Sequence, residues 1–367
     1  MRILHVYKDY YPVIGGIENY IKILAEYQVK QGFDVQVLTT SLSGKTTQEN
    51  INGVKVVKAA RLLEFARTPI SLSMLRWVRR INADIAHLHF PYPLGEFAHF
   101  FFGKAAKTVI TYHSDIIKQR VLLQVYKPLL MKVLGKADRI IATSPKYIET
   151  SPFLSRLKHK CTVIPLGIDI DRFSNPDKAM VDKIRRQYLQ SPLVLFVGRL
   201  RYFKGLKYLI DAMKSVDALL LIAGTGPEER FLREQVLKEY LTEKVVFLGD
   251  VSDSDLPSYY GACDLFVLPA SHRSEAFGTV LIEAMAADKA VISTELGTGT
   301  SFINLHNNTG LVVPPQNSQE LAGAINVLLK DSALRENFAY NARKRAAEFS
   351  AKRMNERIIE LYRGIVA

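Results

Sequence analysis

Short apolar, β-branched runs alternate along the chain with stretches in which apolar positions recur every three or four residues. Runs of the first kind occupy 2–7 (RILHVY), 33–40, 54–60, 83–90, 107–113, 138–144 and 161–167, and helical periodicity fills 17–32 and about 118–135. The rhythm restarts with strand-like runs at 193–200, 218–226, 244–251, 264–270, 290–295 and 310–315, interleaved with helical patterns at 205–216, 228–240 and 279–288, and only helical patterns follow. Such alternation predicts an α/β protein, and the restart predicts two doubly wound, parallel-sheet, Rossmann-like domains. Between them the stretch GIDIDRFSNPDKAM (167–180) is polar, holds Gly, Asn and Pro, and has no apolar period, so the boundary is expected near Gly167 to Pro176. The expected division is 1–170, 171–350, and a C-terminal helix over 351–367 that packs back on the first domain.

The length of 367 residues fits two domains, each large enough for its own core. Hydrophobic residues make up 48% and charged residues 23%, close to globular averages, and no apolar run reaches the ~18 residues of a membrane span. The start, MRILHVYKDYYP, reads as a strand rather than a signal peptide because Lys8 and Asp9 cut its apolar core short, so a cytoplasmic location is expected. Cys161 and Cys263 have no metal-ligand spacing and are expected to be reduced and buried. The net charge of +13 is uneven: residues 1–167 hold 24 Lys+Arg against 11 Asp+Glu, and the remainder holds 25 against 25. An acidic partner is therefore expected for the first half.

In such sheets ligands bind beyond the carboxyl ends of the strands, so the loops that follow them carry the candidate chemistry. In VLFVGRLRYFKGL a buried strand ends at Gly198 and is followed by Arg199 and Lys204, a forked donor and a point charge suited to a diphosphate. Two solvated surface cations fit the same residues. In SEAFGTVLIEAM a helix starting near Gly278 would leave the amides of Phe277, Gly278 and Thr279 free at its positive end, a seat for a phosphate. Glu275 precedes that seat. Glu283 lies among apolar neighbours and needs a partner, which a ribose diol would supply. A capping Glu275 and a surface Glu283 are the plainer alternatives. YYPVIGGIENYI places Gly15 and Gly16 between the first strand and a helix, where the backbone can approach a ligand or simply turn. TYHSD ends a strand with His113 and Asp115. LIAGTGPEER lacks the third glycine of a dinucleotide motif, which argues against a nicotinamide dehydrogenase. Two D-x-D triplets, at 169–171 and 253–255, fall in the linker and at a helix start rather than at strand ends, so no metal is expected.

Taken in order, the Gly-Gly pair, VIPLGIDIDRF, VGRLRYFKG, IAGTGP and SEAFGTVLIEAM resemble a retaining glycosyltransferase of family 4 with the GT-B fold, essentially from end to end. The resemblance implies two domains facing across a cleft, with a nucleotide-sugar on the second and the acceptor on the first. It implies that Arg199 and Lys204 bind the diphosphate, Glu275 the sugar hydroxyls and Glu283 the ribose. Gly16 would lie against the donor phosphate, and His113 would line the sugar subsite. No cofactor is implied. Transfer would retain anomeric configuration without an essential metal, by a front-face route in which the leaving phosphate accepts the acceptor's proton. Asp288 stands where the pattern has Gly, Ala290 where it has Pro, and Thr298, Gly299 and Asn304 replace a Gly-Gly turn and a later Glu. TYHSD, SEAFG and STELGTGTSFIN look most like bacterial mannosyltransferases of surface-polysaccharide assembly, which makes GDP-mannose the first expectation for the donor and a UDP-sugar the second.

The rival readings have less behind them. A sugar-nucleotide epimerase needs acid/base residues about C2 of the sugar, a phosphorylase needs a cofactor lysine, and neither is identifiable. A basic nucleic-acid-binding protein would show a groove-reading or stacking module, and none of those signatures occurs. The excess charge has another use. Segment 61–80 mixes Arg61, Arg67, Arg76, Arg79 and Arg80 with Leu62, Leu63, Phe65, Leu75 and Trp77, and segment 118–136 repeats the blend. This composition suits an anionic membrane surface, where a lipid-linked saccharide acceptor would be found. The plainer alternative turns the apolar residues inward and the cations to water.

Overall fold

The computed structural model describes every residue except Ile14, Ala66, Arg67, Lys118, Gln119, Leu189 and Gln190, and every side chain of the rest except those of Arg120 and Val121. The chain forms two compact units, Met1–Leu166 with Lys352–Ala367, and Gly167–Ala351.

In the first unit β1 (Arg2–Val6) leads to α1 (Gly16–Lys30), followed by β2 (Asp34–Thr40), β3 (Thr47–Ile51), β4 (Val54–Ala59) and a small hairpin of β5 (Leu63–Phe65) and β6 (Thr68–Ile70). Then come α2 (Leu72–Arg80), β7 (Ile85–Phe90), α3 (Pro93–Phe102), β8 (Lys107–Tyr112), α4 (Arg120–Lys136), β9 (Arg139–Ala142), α5 (Pro145–Thr150) and β10 (Cys161–Val163). The eight-stranded sheet has the order β10-β9-β8-β7-β1-β2-β4-β3, parallel except for β3 on the edge. β3 was not expected: its TQENI carries no apolar alternation, and all but Ile51 are exposed. Its antiparallel pairing comes from the tight turn at Asn52-Gly53, both with positive φ. The chain winds outward in both directions from the β1/β7 junction, which is therefore the topological switch point of this sheet.

The second unit begins with α6 (Ile170–Ser174) and α7 (Lys178–Gln187), so the segment read as an irregular linker contains a helical turn that buries Phe173. β11 (Leu193–Val197), α8 (Leu206–Ala212), β12 (Leu219–Ala223), α9 (Glu229–Lys238), β13 (Val245–Gly249), α10 (Leu256–Ala262) and β14 (Leu265–Leu268) follow. They are succeeded by α11 (Thr279–Ala286), β15 (Ala290–Thr294), α12 (Thr300–Ile303), β16 (Gly310–Val313), α13 (Ser318–Lys330) and α14 (Ser332–Ala346). The six strands are all parallel in the order β13-β12-β11-β14-β15-β16, and every residue of β11, β14 and β15 is buried, as expected of strands covered on both faces. The switch point lies between β11 and β14. α15 (Ala351–Val366) closes the chain and packs in the first unit, where Arg357 donates to the Val163 carbonyl. Cys263 is buried, but Cys161 is only half-buried, because β10 is an edge strand; both are free thiols. Among the described residues no helix is long and apolar enough to cross a membrane.

Candidate functional site

In the second unit the loops after β11 and β14 meet at the switch point. Past Gly198 the chain makes a single 3-10 turn over Tyr202–Lys204 and enters α8 through Gly205. Gly205 has φ +71°, and a Cβ there would stand 2.0 Å from the Pro269 carbonyl oxygen, so both conformation and space demand glycine. Ser271 donates its amide to the Phe203 carbonyl at 2.8 Å, a second tie between the loops. This registration brings Lys204 Nζ to 2.6 Å from Glu275 Oε2, with both side chains largely shielded from water. The contact is an ion pair by distance; its angles fall short of a directed hydrogen bond. Arg199 is exposed, one residue beyond Gly198.

Glu275 is fixed from its backbone: its amide donates to the His272 carbonyl, and Thr298 Oγ1 donates to the Glu275 carbonyl at 2.9 Å. The Gly299 amide holds the Ala276 carbonyl at 2.8 Å. Thr298 and Gly299, which replace the commoner turn, thus brace the loop. Asn304 is buried and satisfied by Ser293, Thr309 and the Leu311 carbonyl, a structural role. Asp288 takes φ +60°, the left-handed turn that glycine adopts most easily. Phe277 is buried, Gly278 (φ +89°) starts α11, and no side chain caps that end, so its first amides keep their donor capacity beside Glu275.

Glu283, on the second turn of α11, is half-buried and accepts a hydrogen bond of 2.8 Å from the Tyr260 hydroxyl. Burial raises its pKa, opposed by that bond and by the charges of Arg172 and Lys204. Tyr260 escaped the sequence reading because the α10 to α11 contact depends on tertiary packing. The D-x-D triplets serve locally: Asp169 precedes α6, Asp253 pairs with Arg172 at 3.2 Å, and Asp255 begins α10 without a side-chain cap, its amide held by Ser252.

In the first unit Gly15 precedes α1 with an extended backbone, and a Cβ on Gly16 would meet open space. His113 follows β8 and is buried at the end of a histidine cluster that the sequence reading missed. His5 is the register partner of His87, and His89 that of Thr111. Period-two alternation therefore puts His5, His87, His89, Thr111 and His113 on one face of three adjacent strands. The HLH of β7, polar at alternate positions of a buried strand, was the available signal. Asp115 is held by Tyr112, Tyr147 and Ser151.

Two doubly wound sheets, parallel but for the edge strand β3, are the architecture of the GT-B class of glycosyltransferases. Residues 14–172 match the family described as Glycosyltransferase Family 4 and residues 178–345 match Glycosyl transferases group 1, and the chain belongs to this glycosyltransferase family. It is 39% identical to D-rhamnosyltransferase WbpZ of Pseudomonas aeruginosa, covering 94% of this chain and 91% of the relative. With the O-antigen chain mannosyltransferase C of Escherichia coli it shares 37% identity over 99% and 98% of the two chains. Among solved structures, sucrose-phosphate synthase of Thermosynechococcus elongatus superposes with a TM-score of 0.80 at 24% identity, covering 99% of this chain and 98% of that one. Anabaena HepE in complex with UDP-glucose gives 0.80 at 22% identity over 99% and 100%. These two likenesses establish the fold.

Proposed function

We propose that this glycosyltransferase moves mannose from GDP-mannose, with retention at the anomeric carbon, to a lipid-linked or saccharide acceptor in surface-polysaccharide assembly. The observation that carries the reading is the Lys204–Glu275 pair at the β11/β14 switch point, next to the uncapped start of α11. The O-antigen mannosyltransferase relative supports the choice of sugar. Arg199, Lys204 and the amides of Phe277, Gly278 and Thr279 hold the diphosphate; Glu275 takes sugar hydroxyls and Glu283 the ribose. Gly15, Gly16 and His113 are the first unit's contribution to donor binding.

In the reaction the C1–O bond to the β-phosphate breaks, and the phosphate oxygen keeps the electron pair. The acceptor hydroxyl oxygen bonds to C1 on the same face, and its proton passes to the leaving phosphate. Cations and helix-end amides in place beforehand stabilise the charge that develops there. No metal is required in this scheme. The test is thermal unfolding with a panel of nucleotide-sugars, followed by NMR of the product. GDP-mannose at 100 times its Kd is expected to stabilise the protein by about 2.7 kcal/mol, and the product linkage is expected to be α. Stabilisation by a UDP-sugar alone, or a β product, overturns the donor or the stereochemistry.

For the acceptor side the reading is a peripheral protein on the cytoplasmic face of an anionic membrane. Leu62, Leu63, Phe65 and Leu72 are each more than half exposed, on and beside the β5-β6 hairpin and α2, and Arg76, Arg79 and Arg80 are exposed on the same helix. α3 packs between α2 and α4 and adds exposed Phe97 and Phe101, and α4 adds Leu122, Val125, Lys127 and Lys132. Arg61 does not belong to this surface: it is engaged by Asp9 and Glu64. Arg67, Lys118 and Gln119 lie outside the described residues.

A further inference from the structure

The buried histidines of the first unit form an ordered chain of hydrogen bonds. His5 Nε2 is 2.8 Å from Gln28 Oε1, His5 Nδ1 is 3.0 Å from His89 Nε2, and His89 Nδ1 is 3.3 Å from His113 Nε2. His89 stacks on His5 at 5.3 Å and on His113 at 5.5 Å between centroids. Among the described residues the side chain of His113 bonds only through Nε2, to His89. Burial holds all these rings neutral, with His5 lowered to about 4, His113 to about 3, and His87 and His89 well below the ordinary value.

A neutral imidazole has one N–H and one bare nitrogen, so each bond in the chain dictates the next. Gln28 Oε1 only accepts, so His5 carries its proton on Nε2 and leaves Nδ1 bare. His89 must then donate from Nε2, leaving its own Nδ1 bare, and His113 must donate from Nε2. The opposite orientation of the Gln28 amide would reverse every proton in the series. In the structure the amide oxygen faces His5, which gives the first arrangement. The amide nitrogen has no hydrogen-bond partner among the described residues, and the Tyr362 hydroxyl lies 2.5 Å from His87 Nδ1.

We propose that Gln28 is a positioning residue that fixes the tautomer of His113 through His5 and His89, so that His113 presents a bare Nδ1 as acceptor to a sugar hydroxyl. The last clause rests on the reading of His113 as a donor-binding residue; the tautomer does not. Nitrogens of His5, His87 and His89 lie within 4.8 Å of one another, the spacing of a three-histidine metal site. They are already committed, since His87 spends both nitrogens on Tyr362 and Thr111 and the other two bond each other, and no carboxylate belongs to the group.

The experiment is nitrogen NMR of the full chain labelled with 15N-histidine, first without donor. His113 is expected as a single tautomer protonated on Nε2. Gln28→Glu, still an acceptor, is expected to keep it, whereas Gln28→Met and His89→Phe each bring in the Nδ1-protonated form and lower transfer about tenfold, although neither residue touches the donor. A wild-type His113 protonated on Nδ1 overturns the proposal without any variant having to fold, as does a His113 that stays purely Nε2-protonated in both Gln28→Met and His89→Phe. Adding GDP-mannose separates the two readings. A shift at His113 Nδ1 supports the hydroxyl contact, and its absence, with the tautomer as expected, removes that contact and leaves the relay standing.

Discussion

Lys204 Nζ lies 2.6 Å from Glu275 Oε2, joining the loops that follow two adjacent strands, β11 and β14. Each charge has the other as its partner. In the proposed site a diphosphate engaging Lys204 would release the carboxylate for sugar hydroxyls. Glu275→Ala and Arg199→Ala are each expected to lower transfer by ~10² or more while the protein stays folded, the scale seen when one preorganised charge-stabilising group is lost. Glu275→Ala also strands Lys204, so Lys204→Ala combined with it is expected to cost less than the two effects added together. Transfer near the wild-type rate in folded Glu275→Ala and Arg199→Ala proteins would sink the assignment.

Much of this arrangement was legible in the chain, and the gaps have physical causes. The strands of both sheets announced themselves because a parallel strand buried on both faces must be apolar throughout, as β11 and β14 are. β3 and the β5-β6 hairpin did not: an exposed edge strand has no buried face to impose a pattern. The loop residues Lys204 and Glu275 could be named because strand-to-helix turns are local. Their pairing could not, since it requires strand order. Tyr260 was invisible for the same reason, and of the histidine chain only His113 was named, because the polar HLH of β7 becomes a cluster only once strands and helices far apart in sequence are assembled.

Activity is expected to survive EDTA. The two D-x-D triplets stand at the starts of α6 and α10, where Asp253 pairs with Arg172, and in the proposed site Arg199, Lys204 and the α11 amides would supply the positive potential for a diphosphate. Transfer assayed after exhaustive chelation should stay within about twofold, the spread expected when no transition-state contact is removed. Complete loss that manganese or magnesium restores would show that a divalent ion carries the charge instead.

The buried histidines predict the pH dependence of stability. His5, His87, His89, His99 and His113 all have native pKa values below the ordinary 6.5, at about 4 for His5 and His99 and about 3 for His113, because burial disfavours the imidazolium. The unfolded chain binds protons from pH 6.5 downward where the native state does not, so stability is full above 6.5 and falls as pH drops toward 4. Each proton contributes ~1.4 kcal/mol per pH unit within that window. Glu96 works the other way: burial raises it to about 8, so its contribution falls as pH rises from about 4.5 to 8. Glu18 and Glu283, also raised by burial, act in the same sense as Glu96, and five histidines against these three carboxyls decide the sign. The melting temperature is expected to drop steeply between pH 7 and 5, and Glu96→Gln should flatten the decline between pH 7 and 8. A Tm equal or higher at pH 5 than at pH 7 contradicts the neutral, buried cluster.

The proposed membrane role of the charge asymmetry turns on the β5-β6 hairpin and α2. Soluble proteins scatter exposed apolar residues singly, whereas Leu62, Leu63, Phe65 and Leu72 are exposed together, at 61%, 54%, 59% and 65%. On α2, Met74 and Val78 face the core and Arg76, Arg79 and Arg80 face water, so the helix alone fits the plainer view of an ordinary amphipathic element. The hairpin tips the balance, because nothing in the core requires its apolar side chains. Arg79 lies over the Phe102 ring at 3.9 Å, which leaves Arg76 and Arg80 the freer cations. At roughly 1 kcal/mol per cation near an anionic surface, the three arginines together would weaken binding by about a hundredfold if lost. Sedimentation with vesicles is the measurement: binding is expected to require anionic lipid, to weaken with salt, and to fall when Arg76, Arg79 and Arg80 become Ser. Leu63→Ser with Phe65→Ser should weaken it further without changing the salt dependence, since insertion of apolar side chains is not screened. Equal binding to neutral vesicles, or none to anionic ones at low salt, would leave the excess positive charge of the first unit without a membrane role.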